Sequence, residues 1–296
     1  MQTQDIEYRA GAVNLRGYLA FEETDAARRP GVLVFHEGPG LGDFAMTRAR
    51  RLAQLGYVAF AADMYGDRRQ GRNLQEIAKL VGDLRNEPET LRGRGHAALA
   101  TLAALPQVDA GRMAAIGFCF GGSVVLELAR DGADLKAAVS FHGVLTTRMP
   151  AVSGKVKASV LVLTGADDPL APPDQVAAFE NEMRAAEVGD WQVISYRDTL
   201  HGFTNPAADG SMMRTALYSA QADRRSWASM RGLLMKFCET EKVARCWKCA
   251  SDLPDVSSSF RGVKHPCRRP RVTLHGVVFD ILVRNENRVG LARTLP

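Results

Sequence analysis

With 296 residues, 46% of them hydrophobic and 24% charged, the chain is long and apolar enough to bury a full core, which suits one large domain plus an appendage. The net charge of +5 comes from one end: 11 Lys/Arg face 4 Asp/Glu from Lys242 onward, whereas residues 1–241 hold 27 against 29, which argues against a nucleic-acid role for the main body. No apolar run approaches the roughly 20 residues that span a bilayer, the N-terminus lacks a signal's basic and apolar regions, and five cysteines form no disulfide framework, so the expected location is the cytoplasm, without a membrane partner.

Alternating patterns at 5–9 and 14–21, joined by Ala10-Gly11-Ala12, predict an opening hairpin. The apolar run Gly31–Phe35, stopped by Gly38-Pro39-Gly40, suits a buried strand. A helix over about Asp43–Leu55 should end at Gly56, and Tyr57–Ala62 reads as the next strand. Residues 67–105 read mostly helical, broken around Asn86-Glu87-Pro88. Further strands are expected at 113–118, 137–141, 159–164 and 192–196, with helices at about 121–130, 173–187 and 212–238. Strands alternating with helices call for a mostly parallel sheet covered on both faces.

Within that pattern, Ile116-Gly117-Phe118-Cys119-Phe120-Gly121-Gly122 runs from an apolar strand through a cramped glycine turn into a helix. This describes the elbow that raises a nucleophile above an α/β-hydrolase sheet, here with cysteine at its centre. A thiol nucleophile needs a base, and the base an orienting carboxylate. Asp167 and Asp168 follow the strand at 159–164, and His201 follows the strand at 192–196. Nucleophile, acid, histidine is the α/β-hydrolase order. His36 and His142 also stand at strand ends, where either could line the site without being the base. In this architecture the oxyanion hole is built from backbone: the N–H of Phe120, after the nucleophile, and one from the loop 35–40, where Pro39 has no N–H and Gly38 is the better donor.

Residues 1 to about 240 resemble the dienelactone hydrolase family of α/β-hydrolases through Ile116–Gly122, Gly165–Pro172 and Leu200-His201-Gly202-Phe203. The resemblance implies an α/β-hydrolase fold and a triad in which Cys119 is the nucleophile, His201 the base and Asp168 the orienting acid. Asp168 is preferred to Asp167 on the family's spacing from Gly165, which leaves Asp167 a turn or capping carboxylate. The family also carries a glutamate that contacts the resting thiol, and Glu37 matches it. The implied reaction is attack on a small ester or lactone carbonyl, a thioester acyl-enzyme and hydrolysis, with no cofactor or metal and as a monomer or homodimer. The loop Gly202-Phe203-Thr204-Asn205-Pro206 lacks the arginine with which dienelactone-cleaving members hold a substrate carboxylate, which favours a broader ester or lactone hydrolase. Arg68, Arg69 and Arg72 are the other candidates, or simply a solvated face. An acyl-thioester hydrolase or acyltransferase on the same scaffold is the alternative, and a redox-sensing elbow thiol a weaker one.

The resemblance defines a domain over 1–241 and leaves 242–296 as a basic, weakly patterned extension, read as disordered or foreign to the fold. Cys246, Cys249, His265 and Cys267 suggest zinc, but His265-Pro266-Cys267 is too closely spaced for the usual second pair. Residues 272–283 could form a hairpin or one added strand.

Overall fold

A computed structural model describes residues 1–23 and 28–237 and the backbone of two short strands, 272–274 and 277–279. The chain divides into two compact units, Met1–Ser251 and Asp252–Pro296. The first carries strands β1 (Gln2–Ala10), β2 (Val13–Phe21), β3 (Arg29–Phe35), β4 (Val58–Ala62), β5 (Val108–Phe118), β6 (Ala137–Phe141), β7 (Ser159–Gly165) and β8 (Trp191–Tyr196). Its helices are α1 (Asp43–Gln54), α2 (Leu74–Asn86), α3 (Pro88–Ala103), α4 (Phe120–Arg130), α5 (Pro173–Ala185) and α6 (Ala220–Phe237). In the second unit β9 (Val272–Leu274) and β10 (Val277–Phe279) pair antiparallel, as the hairpin reading anticipated. The zinc reading of Cys246, Cys249, His265 and Cys267 lies outside the described residues.

The sheet order is β1-β2-β4-β3-β5-β6-β7-β8; β1, β2 and β4 pair antiparallel, and β4 through β8 run parallel. This is the mostly parallel α/β-hydrolase sheet expected. Buried parallel strands read as continuous apolar runs because both faces are covered. Accordingly β3, β4, β6 and β7 are buried at every position. One core cluster unites the β1–β2 hairpin with α3, α4 and α5; the other packs α1 and α6 on the opposite face.

Two element ends are set by named residues. Gly56, at φ 96°, follows α1 as its C-terminal glycine. Pro88 opens α3 at its first position, where a missing N–H costs nothing, so the predicted break falls between α2 and α3. One expectation fails: α6 begins at Ala220, not near 212. Residues 211–219 instead bind the loop that carries His201, through His201 N–H to Thr215 O (2.9 Å) and Leu217 N–H to His201 O (3.0 Å). Tertiary hydrogen bonding there overrides the helix propensity of Met212-Met213.

Candidate active site

Strand β5 ends at Phe118 and α4 begins at Phe120, so Cys119 alone makes the turn, at φ 53° and ψ −115°. A positive φ is costly for a residue with a Cβ, and its surroundings must enforce it. They do so by close approach: a Cβ on Gly117 would stand 2.0 Å from Gly121 O, and one on Gly121 would stand 2.3 Å from Phe35 O. The Cys119 N–H is shared between Phe141 O (3.0 Å) and His142 Nδ1 (3.1 Å), which ties the elbow to the end of β6. The thiol is half-buried.

The loop after β7 buries Asp168 and leaves Asp167 exposed. Asp168 Oδ2 lies 2.8 Å from His201 Nδ1, and its Oδ1 accepts the Leu170 N–H at 2.8 Å. The carboxylate thereby fixes His201 in the tautomer that leaves Nε2 free to exchange protons. Nε2 is buried and makes no well-angled hydrogen bond among the described residues. Burial alone would lower the His201 pKa, but the nearby Cys119 charge, then Asp168, raise it from 6.5 to about 10. The protonated form of His201 is thus favoured.

The loop after β3 presents a row of fixed carbonyls. His36 O accepts from Gly121 N–H (2.9 Å), Glu37 O from Gly40 N–H (3.2 Å), Gly38 O from the Tyr65 hydroxyl (2.8 Å) and Pro39 O from Gly71 N–H (2.9 Å). The Gly38 and Phe120 N–H groups have no acceptor among the described residues. Gly38 is also packed under α2, where a Cβ would meet Ile77 at 2.9 Å.

Glu37 is half-buried, and its Oε2 accepts from Asn205 Nδ2 at 2.6 Å. Burial pushes its carboxyl up from 4.5 to about 7, despite the opposing pull of Asn205, His201 and Arg48. Sequence reasoning read the loop around Asn205 only for the arginine it lacks and missed these contacts. His142 Nε2 lies 2.8 Å from Thr204 Oγ1, and its ring stands edge-on to His201 at 5.1 Å. The buried Arg48 of α1 donates to Thr204 O and pairs with Asp223 of α6 at 2.9 Å. Asn205 was legible as a polar residue four after the histidine; nothing in the local pattern marks Arg48.

A cavity of about 550 Å³ lies between α2, the start of α3, α4 and residues 146–148. Ser123 and Glu127, one and two turns along α4 from Cys119, form one wall, and Arg85, Thr146 and Arg148 form another. Burial lowers the Arg85 pKa, and the Cys119 charge is the largest influence opposing it. Of the arginines considered from sequence, Arg68 is taken by Asp5 and by Gly17 O on the β1–β2 hairpin, while Arg69 and Arg72 are exposed. None of the three lines this cavity. No helix among the described residues is long and apolar enough to cross a membrane.

The model of the dienelactone hydrolase family matches residues 15–238. A solved structure described as a dienelactone hydrolase-like promiscuous phosphotriesterase from metagenomic libraries is 40% identical, with a TM-score of 0.76 over 80% of this chain and 98% of that one. An uncharacterised Caenorhabditis elegans protein is 37% identical over 142 residues, 46% of this chain and 87% of its own. A Yersinia pestis protein provisionally named carboxymethylenebutenolidase is 29% identical over 200 residues, 64% of this chain and 74% of its own.

Proposed function

Since the chain belongs to the dienelactone hydrolase family, we propose that it hydrolyses small carboxylic esters or lactones through Cys119, His201 and Asp168. The observation that carries this reading is Asp168 at 2.8 Å from a buried histidine whose protonated form is favoured.

In this mechanism the Cys119 Sγ attacks the carbonyl carbon, and the carbonyl π electrons move onto oxygen. The Gly38 and Phe120 N–H groups take the oxyanion. Collapse expels the alcohol oxygen, which receives the proton from His201 Nε2 and leaves a thioester. His201, now neutral, accepts a proton from water as that water attacks the thioester. Collapse of the second tetrahedral adduct releases the acid and restores thiolate and imidazolium. Asp168 keeps the imidazole oriented and stabilises its charge throughout. Glu37 modulates the thiol in this reading and is displaced when substrate enters.

The cavity beside α4 would take the group beyond the carbonyl. Arg85 on its wall favours substrates that carry an acid, a role that the absence of an arginine after His201 had left unassigned. A second reading, phosphotriester hydrolysis by the same thiol, is favoured by the 40% identity to a relative so described.

The test is mass spectrometry of Cys119 after brief exposure to p-nitrophenyl acetate, a lactone, an acyl-CoA and paraoxon. An acetyl adduct on Cys119 that forms and decays at the hydrolysis rate supports the ester reading. A persistent or faster phosphoryl adduct favours the second. Transfer of an acyl group from CoA to an added amine or alcohol favours an acyltransferase. Hydrolysis undiminished in Cys119→Ala sinks the thiol mechanism altogether.

A further inference from the structure

His36 touches neither the thiol nor its base, yet both of its ring nitrogens are engaged inside a fully buried site. Nε2 stands 3.2 Å from the Met64 N–H, at the end of β4. A backbone N–H only donates, so Nε2 must carry the lone pair and the proton must sit on Nδ1. Nδ1 lies 2.6 Å from Glu37 O. The Met64 amide thus dictates the tautomer, and the tautomer dictates that His36 donates to the Glu37 carbonyl. Burial lowers the His36 pKa, and this favours the neutral ring that such an arrangement needs.

The Glu37 carbonyl and the Gly38 N–H belong to one planar trans peptide, in which C=O and N–H point in opposite directions. Holding the carbonyl therefore aims the N–H. The next carbonyl, Gly38 O, is held independently by the Tyr65 hydroxyl at 2.8 Å, so the peptide cannot turn by transferring strain to its neighbour. The main-chain oxygen of His36 accepts the Gly121 N–H at 2.9 Å, next to Phe120. Its ring packs against the Tyr65 and Phe120 rings, with centroids 4.9 and 5.9 Å away. One residue is thus tied to the peptide that carries the Gly38 N–H and to the peptide directly after the Phe120 N–H.

We infer that His36 is a positioning residue for the oxyanion hole, fixing the direction of the Gly38 N–H through the Glu37 carbonyl and its distance from the Phe120 N–H through its own main chain. This rests on the hydrolase reading and adds to it a side chain that acts on transition-state binding without touching substrate. An interaction made only with the developing oxyanion lowers kcat when lost and leaves KM nearly unchanged. Loss of an oxyanion donor outright costs on the order of 100–1,000-fold in kcat, so a misaimed donor should cost about 10–100-fold.

The experiment compares three variants of the full chain. Asn places an amide N–H near the position of Nδ1 and can keep the Glu37 contact; Gln places its amide nearer Nε2 and cannot; Leu keeps neither. The expected result is a kcat loss of about 10–100-fold in His36→Gln and His36→Leu, substantial recovery in His36→Asn, KM within about threefold throughout, and Cys119 alkylation by iodoacetamide at the wild-type rate. Equal kcat in Asn and Gln, or alkylation that falls in parallel with kcat, overturns the inference. Should His36→Leu fail to fold, the Asn and Gln pair decides. Nitrogen NMR of the ring in the intact protein decides independently of any ester: a proton on Nδ1 is required, and a proton on Nε2 overturns it. Absence of Cys119-dependent hydrolysis in the wild type would instead count against the hydrolase reading and leave the NMR result standing.

Discussion

The carboxylate of Glu37 is held at 2.6 Å by the amide of Asn205, a residue that follows His201 by four positions in the same loop. The loop after β3 and the loop that carries His201 are therefore joined to each other.

This contact has a pH signature. Glu37 has a folded-state pKa of about 7, raised by burial from 4.5. Between those values the folded chain keeps a proton that the unfolded chain releases, so stability falls as pH rises through this window. The full shift corresponds to about 3 kcal/mol at most. Glu37→Gln should be as stable as wild type near pH 5 and more stable by about 2–3 kcal/mol near pH 8, read by urea denaturation at both values. A constant difference would show that Glu37 does not titrate in this range.

His201 should show linkage of the same sign at higher pH. Its folded pKa of about 10 exceeds the ordinary 6.5, so its contribution is fully present below pH 6.5 and is lost as pH rises toward 10. The charge of Cys119 is the largest influence raising it. Imidazole proton NMR should find His201 protonated at pH 8 in the wild type and titrating at lower pH in Cys119→Ser. A His201 that is neutral at pH 8 in both would refute the raised pKa.

The paired aspartates separate by substitution. Asp168 is buried against the histidine, and Asp167 is exposed. Asp168→Asn should lower kcat on p-nitrophenyl acetate on the order of 1,000–10,000-fold, because the amide favours the wrong histidine tautomer. Asp167→Asn should change kcat by less than about twofold, since exposed substitutions away from a site are usually near neutral.

The elbow glycines set a steric limit. Gly121→Ala would bring a Cβ to 2.3 Å from a main-chain oxygen of β3, an atom that cannot move aside as a flexible side chain would. A loss of about 3 kcal/mol or more is expected. Gly82→Ala on α2, which meets nothing within 4 Å, is the control and should be neutral or stabilising. Thermal denaturation of both variants checks the pair.

Arg85 should separate substrates by charge. With mono-p-nitrophenyl esters of dicarboxylic acids, Arg85→Gln should raise KM about tenfold, the scale of one lost charged hydrogen bond. With p-nitrophenyl butyrate it should leave KM unchanged. Equal effects on both esters would remove Arg85 from the binding site.

The sheet and the order of its helices were legible because strands buried on both faces read as apolar runs, and because Gly56 and Pro88 punctuate the helices. The order Cys119, Asp168, His201 was legible because each follows a strand in chain sequence. The contacts around that trio were not. Arg48 lies 156 positions from Thr204, and Glu37 lies 168 from Asn205. Pairings at such separations leave no periodic trace in either partner. The start of α6 was misread for the same reason: residues 211–219 form their hydrogen bonds with the histidine loop and not along a helix.

The segment 201–205 is fastened to four separate parts of the molecule: His201 to the loop after β7, Thr204 to the end of β6 and to α1, and Asn205 to the loop after β3. Releasing a segment held this way breaks contacts with α1 and with the loops at the ends of β3, β6 and β7. Its amide protons should exchange with deuterium only as fast as the whole domain unfolds. Heat should accordingly abolish activity and fold together, with no window of temperature in which His201 has left its place in a protein that is still folded.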